Sequence, residues 1–561
     1  MRPLQRRATA VVAATISTLM LAACGGIPTS GDVQAGNPFT EQSFSDFVFN
    51  PLGPTKGADQ MGILQGFIAA FTGPQGDYAT AREYLSSQFK KEWDPRQSVQ
   101  IRTGVPTLRT IDETTIEYSF TSKAQLDSSG TYTAGPPSVQ VLDFSFVKED
   151  EQWRISKAPP GIVLAESTFL TIFSKHSLYF YDLSLQYMVP DERWFPGGTT
   201  ATRIVSALLD GPPEWLKGSV VSQFPDGTKL TPGTTVTIDS TVAQVDLTSE
   251  AAAADARQRQ LMQLQLAQSL SSVAEIGSVE VSIAGSVLSI APLGANAPVV
   301  QRPVDARPLV FVDGKFGFLS GGQISDIADL SPKVAELKPK AISVGAGVLV
   351  AAVLGENGVS LVRRDAETRL LDSRGGLIAP ALDDFGYVWS AQQSSPNSIT
   401  VFDFKGVAHS VATSLPADAT IQAIQIAQDD SRIAILLQTV AGPRLLVAAI
   451  QRNPTEGYLP IAIGTPVLDT LVDAQTALDA TWVDRYSVAV LASTKGESAV
   501  FNYDIGGLQT SLGQPAPSRV IIGGNGRTGL RVLSDDGFLQ TPRGSSWQST
   551  TTKVDLIAAQ R

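Results

Sequence analysis

The chain has one cysteine, Cys24, and two histidines, His176 and His409, in 561 residues. A single thiol excludes an internal disulfide and a cage of thiolate metal ligands. The histidines lie 233 residues apart, which leaves little material for a metal site or a nucleophilic triad. No catalytic residue, metal site or cofactor is expected, and each imidazole reads as a solvated or hydrogen-bonded surface group. Basic charge is scarce too: 43 Lys and Arg stand against 54 Asp and Glu, for a formal charge of −11. Nucleic acid is therefore not an expected partner, because phosphate neutralisation needs a basic face. Long polar low-complexity tracts are missing, and 43% hydrophobic with 17% charged residues is the composition of folded protein. At roughly 100–200 residues per domain, three to four domains are expected.

The amino terminus lacks a convincing membrane span. Residues 8–21 are apolar or small but broken by Thr15, Ser17 and Thr18. They fall short of the roughly 20 apolar residues a spanning helix needs, and fit the core of a secretory signal, about 7–15 residues long. Arg2, Arg6 and Arg7 supply the positive segment before it, and their loss with residues 1–23 takes the charge to −14. Leu21-Ala22-Ala23-Cys24-Gly25 follows and resembles a lipobox. The resemblance implies cleavage between Ala23 and Cys24, with S-diacylglycerol and N-palmitoyl groups on Cys24. Small residues at 22 and 23 admit the peptidase, and the thiol is the nucleophile that accepts the glyceride. Two or three acyl chains hold a protein stably where one binds marginally. The expectation is a signal peptide at 1–23, a lipidated Gly- and Pro-rich tether at 24–60, and a protein on the outer face of the cell membrane.

Residues 61–189 read as an α+β domain. Ile63, Leu64, Phe67, Ile68 and Phe71 recur at three- and four-residue intervals, predicting a helix with one apolar face. A second helix is predicted from Asp77, as N-cap, through Tyr84 and Leu85 to Phe89. Residues 115–120 and 139–146 alternate at period two, as half-buried strands do. Helices on one face of a curved antiparallel sheet resemble the nuclear-transport-factor-2-like or cystatin-like folds, with Trp93 and Trp153 as core residues.

Residues 190–293 form the second expected unit. Thr199 is placed to cap a helix bearing Ile204, Val205, Leu208 and Leu209 on one side, with Gly211 and Pro212 closing it. Strands at 236–238 and 242–247 and a long helix at 249–272 follow. The order of "ALLDGP", "PDGTKL" and "TVAQVDLTSE" is similar to the GerMN domain, which implies an extracytoplasmic interaction module without catalytic residues. Asp226, Asp246 and Glu250 read as turn and cap residues.

Residues 300–561 consist of short apolar runs bounded by Gly, Asp and Asn. Strand–turn–strand units begin at Ile342, Leu382, Ile426, Trp482 and Ile522, spaced 40, 44, 56 and 40 residues apart, after an opening hairpin at 309–319. That period matches a four-stranded propeller blade and predicts about six blades, the alternative being an open β-sandwich array. The aspartate pairs Asp383-Asp384, Asp429-Asp430 and Asp535-Asp536 fall at turns read as equivalent, where neighbouring side chains point apart.

The fold class expected is multidomain α+β followed by all-β: two small α+β domains and a C-terminal β-propeller. Lipobox, helix-and-sheet domain, GerMN-like domain and propeller, in that order, resemble the actinobacterial lipoprotein LpqB family. The resemblance implies an accessory protein that contacts the extracellular region of the sensor kinase MtrB and influences phosphorylation of MtrA, in cell-wall homeostasis and division. The competing readings are a cell-wall or small-ligand-binding lipoprotein without kinase contact, and a glycan-processing enzyme with paired carboxylates in the propeller channel.

Overall fold

Asp59 opens the first helix because its carboxylate accepts a hydrogen bond from Gly62 N at 2.8 Å. The computed structural model describes residues 50–561 apart from Pro303, so the signal segment, Ala23, Cys24 and most of the tether lie outside the described residues. Helix α1 (Gln60–Ala69) buries Ile63, Leu64 and Phe67 against a sheet of β1 (Ser98–Asp112), β2 (Thr115–Asp127), β3 (Tyr132–Glu149), β4 (Gln152–Lys157) and β5 (Ile162–Ala165), ordered β4-β3-β2-β1-β5. Along β2 alternate residues, including Ile116, Tyr118 and Phe120, point into the core. Phe67 lies 4.8 Å from Phe71 and 5.1 Å from Trp93 between ring centroids, and Trp153 packs at the edge of this cluster.

The second helix is shorter than the sequence predicts. Helix α2 (Gln75–Arg82) begins with Gly76, Asp77 and Tyr78 in left-handed conformation, at φ 57°, 59° and 60°. Asp77 is therefore not an N-cap. Its carboxylate instead pairs with Arg82 at 2.6 Å and Arg96 at 2.7 Å, and Tyr78 is buried, which offsets about 1–2 kcal/mol per non-glycine left-handed residue. Leu85, expected within the helix, bridges to Ile155 of β4.

Helix α3 (Glu166–Ile172) leads into a hairpin of β6 (Phe173–Asp182) and β7 (Met188–Pro196), joined at one edge by β8 (Val220–Val221). The expected division at 189/190 falls inside β7. Leu178, Phe180, Val189 and Phe195 share a core with Ile204 and Leu208 of α4 (Thr200–Leu209), so the hairpin belongs with the second unit. Every residue of β7 is buried, so no alternation marks its side. The Thr199 hydroxyl accepts from Arg203 Nε at 3.2 Å rather than from a helix amide. A second sheet of β9 (Thr237–Asp239), β10 (Val242–Leu247), β11 (Ser278–Ile283) and β12 (Ser286–Val287) follows, with α5 (Ala256–Leu270) crossing between the parallel β10 and β11. The predicted helix at 249–272 is broken: residues 249–253 form a separate turn, Ala254 is extended, and Asp255 caps α5 through Gln258 N at 2.7 Å.

The remaining strands form six blades. Blade 1 combines Leu309–Val312, Lys315–Ser320 and Gln323–Ser325 with Leu556–Gln560 as its inner strand, which closes the ring. Blades 2 to 6 have inner strands Ala341–Val344, Ala381–Leu382, Thr420–Ile426, Thr476–Trp482 and Ser518–Ile522, each packed on the next and the last on Leu556–Gln560. The 56-residue spacing in the sequence falls at blade 4. Its long strand Gly442–Asn453 pairs with Leu459–Ile463 over one half and Leu468–Leu471 over the other, an extra strand inserted into the period. The fold is thus two α+β units followed by an all-β propeller.

Candidate functional site

The inner strands surround a cavity of about 40 Å³, lined by all six blades through residues that include Val344, Leu382, Ile426, Trp482, Gly523 and Gln560. One water needs roughly 10–15 Å³ and small-molecule sites run to roughly 300–1,000 Å³, so this cavity has room for waters rather than a substrate. Arg561 follows the inner strand of blade 1 and reaches across it. Its guanidinium donates to the carbonyls of Leu382 in blade 3 and of Ala427 in blade 4, the latter at 2.9 Å, and pairs with Asp430. Burial drives the Asp430 carboxyl well above the usual range, with Asp384 and Asp383 adding to the shift and Arg561 opposing it.

The linker from the second unit then spans the same mouth. Gln301 Nε2 donates to Gly524 O of blade 6 at 3.0 Å, while its neighbour Arg302 donates to Asp384 Oδ2 of blade 3 at 3.2 Å. Blades 3 and 6 face each other across the ring, so adjacent residues tie opposite sides. Asp384 also accepts from the hydroxyl of Tyr187, in the turn between β6 and β7, at 2.8 Å, and Arg302 stacks over that ring at 4.7 Å.

The β6–β7 hairpin is the second convergence. Trp194 donates its indole N–H to Gly506 O of blade 5 at 2.7 Å, and its backbone N–H to Gly130 O of the first unit at 2.9 Å. Gly130 has φ 84°, and a Cβ there would meet Trp194 O at 2.7 Å, so both conformation and closeness require glycine. Tyr179 and Tyr486 hydroxyls meet at 2.7 Å, Lys175 pairs with Asp504 at 3.1 Å, and Arg193 donates to Ser129 O at 2.9 Å. Asp191 pairs with Arg193 at 2.6 Å and accepts from Trp215 Nε1 at 3.0 Å; burial nevertheless raises its carboxyl, outweighing that pull. Sequence reasoning missed this hairpin as a junction. The only signal was the triplet Asp191-Glu192-Arg193 inside an otherwise apolar strand.

The histidines stay apart. His176 is buried on β6 rather than at the surface, its Nδ1 shares a hydrogen bond with Ser272 Oγ at 2.8 Å, and burial lowers it to about 4. His409 is part-exposed on the outer strand Ala408–Ser410 of blade 3. Asp246 accepts from Ser282 Oγ at 2.6 Å and Gly285 N at 2.8 Å, bonds that lower its carboxyl. Asp226 lies in the turn closed from Thr228 N to Pro225 O at 3.1 Å, and Glu250 opens the turn at 249–253. Of the aspartate pairs, two are equivalent, between the first and second strands of blades 3 and 4, and their side chains diverge. Asp383 accepts from Tyr387 N at 2.8 Å and pairs with Arg452 at 2.9 Å, whereas Asp384 faces Tyr187 and Arg302. Asp429 accepts from Arg432 Nε at 2.9 Å, and Asp430 turns to Arg561. Asp535-Asp536 is not equivalent: it lies exposed between the second and third strands of blade 6. Among the described residues no group of three or more His, Cys, Asp or Glu is placed to hold a metal ion, and no helix is long and apolar enough to cross a membrane.

Residues 53–170 match the family described as "Lipoprotein LpqB, N-terminal domain", residues 177–289 "Sporulation and spore germination", and residues 314–556 "Lipoprotein LpqB beta-propeller domain". Lipoprotein LpqB of Cutibacterium acnes is 24% identical over 580 residues, covering 97% of each chain. That of Streptomyces coelicolor is 24% identical over 603 residues, covering 98% of this chain and 97% of its own. Among solved structures, the first GerMN domain of the sporulation protein GerM from Bacillus subtilis covers 22% of this chain and 97% of its own, at 19% identity and a TM-score of 0.17. With two LpqB-specific domains flanking a germination-type domain, and relatives that align along nearly the whole length, the chain belongs to the lipoprotein LpqB family.

Proposed function

We propose that this protein is a non-enzymatic accessory lipoprotein, anchored through Cys24 at the extracytoplasmic face of the cell membrane, that binds the extracellular region of the sensor kinase MtrB. Through that contact it modulates MtrA–MtrB two-component signalling in cell-wall homeostasis and division. The observation that carries the reading is the obstructed propeller mouth. Arg561 and the Gln301–Arg302 step occupy the place where a propeller enzyme would admit substrate, and the carboxylates there are paired with arginines or turn amides. Contact with a partner is then left to the surfaces outside that mouth, as in a binding module. Tethering both partners to one membrane raises their effective concentration, so modest affinity suffices. To change kinase output the lipoprotein must bind one signalling state better than the other.

Calorimetric titration of residues 25–561 with the purified extracellular region of the kinase tests the contact, and saturable one-to-one binding is the expected outcome. Two folded proteins that fail to bind at high micromolar concentration would shift the reading to a cell-wall or small-ligand-binding lipoprotein without kinase contact. The anchor is tested separately by Cys24→Ala, expected to abolish lipid labelling; a labelled variant would place the lipid elsewhere.

A further inference from the structure

Beside the obstructed mouth, a larger cleft of about 380 Å³ opens between the linker and blade 6. One wall is residues 304–308, the other is the loop that runs from Asn525 to Arg531, and Ile522, Gly523 and Gln560 lie between them. The linker wall is fixed: Asn525 donates Nδ2 to Val304 O at 2.8 Å and accepts at Oδ1 from Val304 N at 3.3 Å, and Gln560 Nε2 donates to Arg307 O at 2.9 Å. The cleft is thus part of the folded ring, and its volume lies within the range of small-molecule sites, roughly 300–1,000 Å³.

Its charge is unbalanced. Three lining residues are ionisable, Asp305, Arg307 and Arg531. Asp305 is used by Arg307, through contacts of 3.0 Å to Nε and 2.6 Å to Nη2, and Arg307 also lies over the Phe318 ring at 4.4 Å. Arg531 has no carboxylate partner among the described residues. Its Nη1 donates to Thr528 O and Leu530 O, both at 2.8 Å, which fixes the guanidinium and leaves Nε and Nη2 without an acceptor among the described residues. Burial works against its charge, as its lowered pKa reflects. A half-buried, oriented guanidinium with free donors on a walled cleft is suited to an oxyanion, which such a fork can bind through two parallel hydrogen bonds.

We infer that this cleft binds a small molecule carrying a phosphate or carboxylate, of about the size of a monosaccharide derivative, with Arg531 as the anion-binding residue. The site is built from the linker and the propeller and is independent of any kinase contact.

The test is titration of the full-length protein in detergent with glucose 1-phosphate, glucuronate and glucose, three probes of similar size that differ in the anion. Saturable binding of one or both anions and none of glucose is expected, and which anion binds separates phosphate from carboxylate as the source. Arg531→Gln should weaken that binding about tenfold or more, whereas Arg527→Gln, on the exposed part of the same loop, should not. Ala306→Asp provides a second variant without touching the Arg531 bonds: it places a competing carboxylate on the exposed linker wall and should weaken binding likewise. Should Arg531→Gln unfold the loop, Ala306→Asp decides. The assignment is overturned if neither anion binds up to roughly 10 mM, if glucose binds as well, or if the Arg527 variant loses as much affinity as the Arg531 variant.

Discussion

Single residues here are set as much by distant partners as by their own turns. Asp383 accepts from Tyr387 N within its own loop, a role readable from its position after a strand. Its neighbour Asp384 and the equivalent Asp430 turn toward Arg561, 131 residues beyond Asp430, and nothing in the local sequence announces that reach. Asp479 is a sharper case. Its carboxylate accepts from Ile521 N and Ala480 N, both at 2.9 Å, burial pushes it up to about 7, and those hydrogen bonds only partly oppose the shift. A carboxyl whose folded pKa is raised contributes stability that is fully present below its ordinary value of 3.8 and is lost as pH rises toward about 7. Asp479→Asn removes the ionisation, so its melting temperature relative to wild type should rise between pH 4 and pH 8, with the steepest change below about pH 7. A difference between the two proteins that is the same at both pH values would show that Asp479 does not titrate in this window.

At the scale of elements, period-two and helical patterns located β2, α1 and most blade hairpins, because each has one face in a core and one outside. The patterns failed where both faces are buried, and they ran a short turn and a helix together at residues 249–272. Helix α5 carries Gln258, Gln260 and Gln263, whose amides donate to Gln223 O at 3.0 Å, Ala291 O at 2.9 Å and Val279 O at 3.3 Å. These glutamines flank the buried face, which Leu261, Met262, Leu266 and Leu270 mark at helical spacing, so the sequence placed the helix but not its start at Ala256. The β6–β7 hairpin failed for the first reason, yet it is the element that touches all three units. Its Tyr179–Tyr486 contact offers a clean measurement. Either single Tyr→Phe change strands the other hydroxyl and is expected to cost about 1–3 kcal/mol, whereas the double variant loses less than the sum, leaving a coupling near 1 kcal/mol. Chemical denaturation of the four proteins reads it, and strict additivity would mean that the two hydroxyls do not interact in solution.

For the whole molecule, the decisive feature is how the ring is fastened. The repeat gave the number of blades approximately, but ring closure pairs Leu556–Gln560 with Leu309–Val312 across nearly the full propeller, and such a pairing leaves no periodic trace. The same strand delivers Arg561 to Asp430 and to the carbonyls of blades 3 and 4, so one guanidinium fastens the side of the ring opposite its own blade. Neighbouring aspartates and Tyr187 hold Arg561 above its ordinary pKa despite its burial. Arg561→Ala leaves Asp430 enclosed without its cation, and breaking a buried pair from one side costs about 3–5 kcal/mol. The loss should be largest at neutral and alkaline pH and shrink on acidification, because Asp430 already holds its proton more tightly than an ordinary carboxyl and the variant removes the charge that opposed this. Adding Asp430→Asn to Arg561→Ala should recover part of the stability at pH 8 and flatten the pH dependence, measured by thermal melting of the three proteins. If the double variant melts no higher than the single one, the guanidinium acts through its carbonyl contacts to Leu382 and Ala427, and the ring is held by backbone capping rather than by charge.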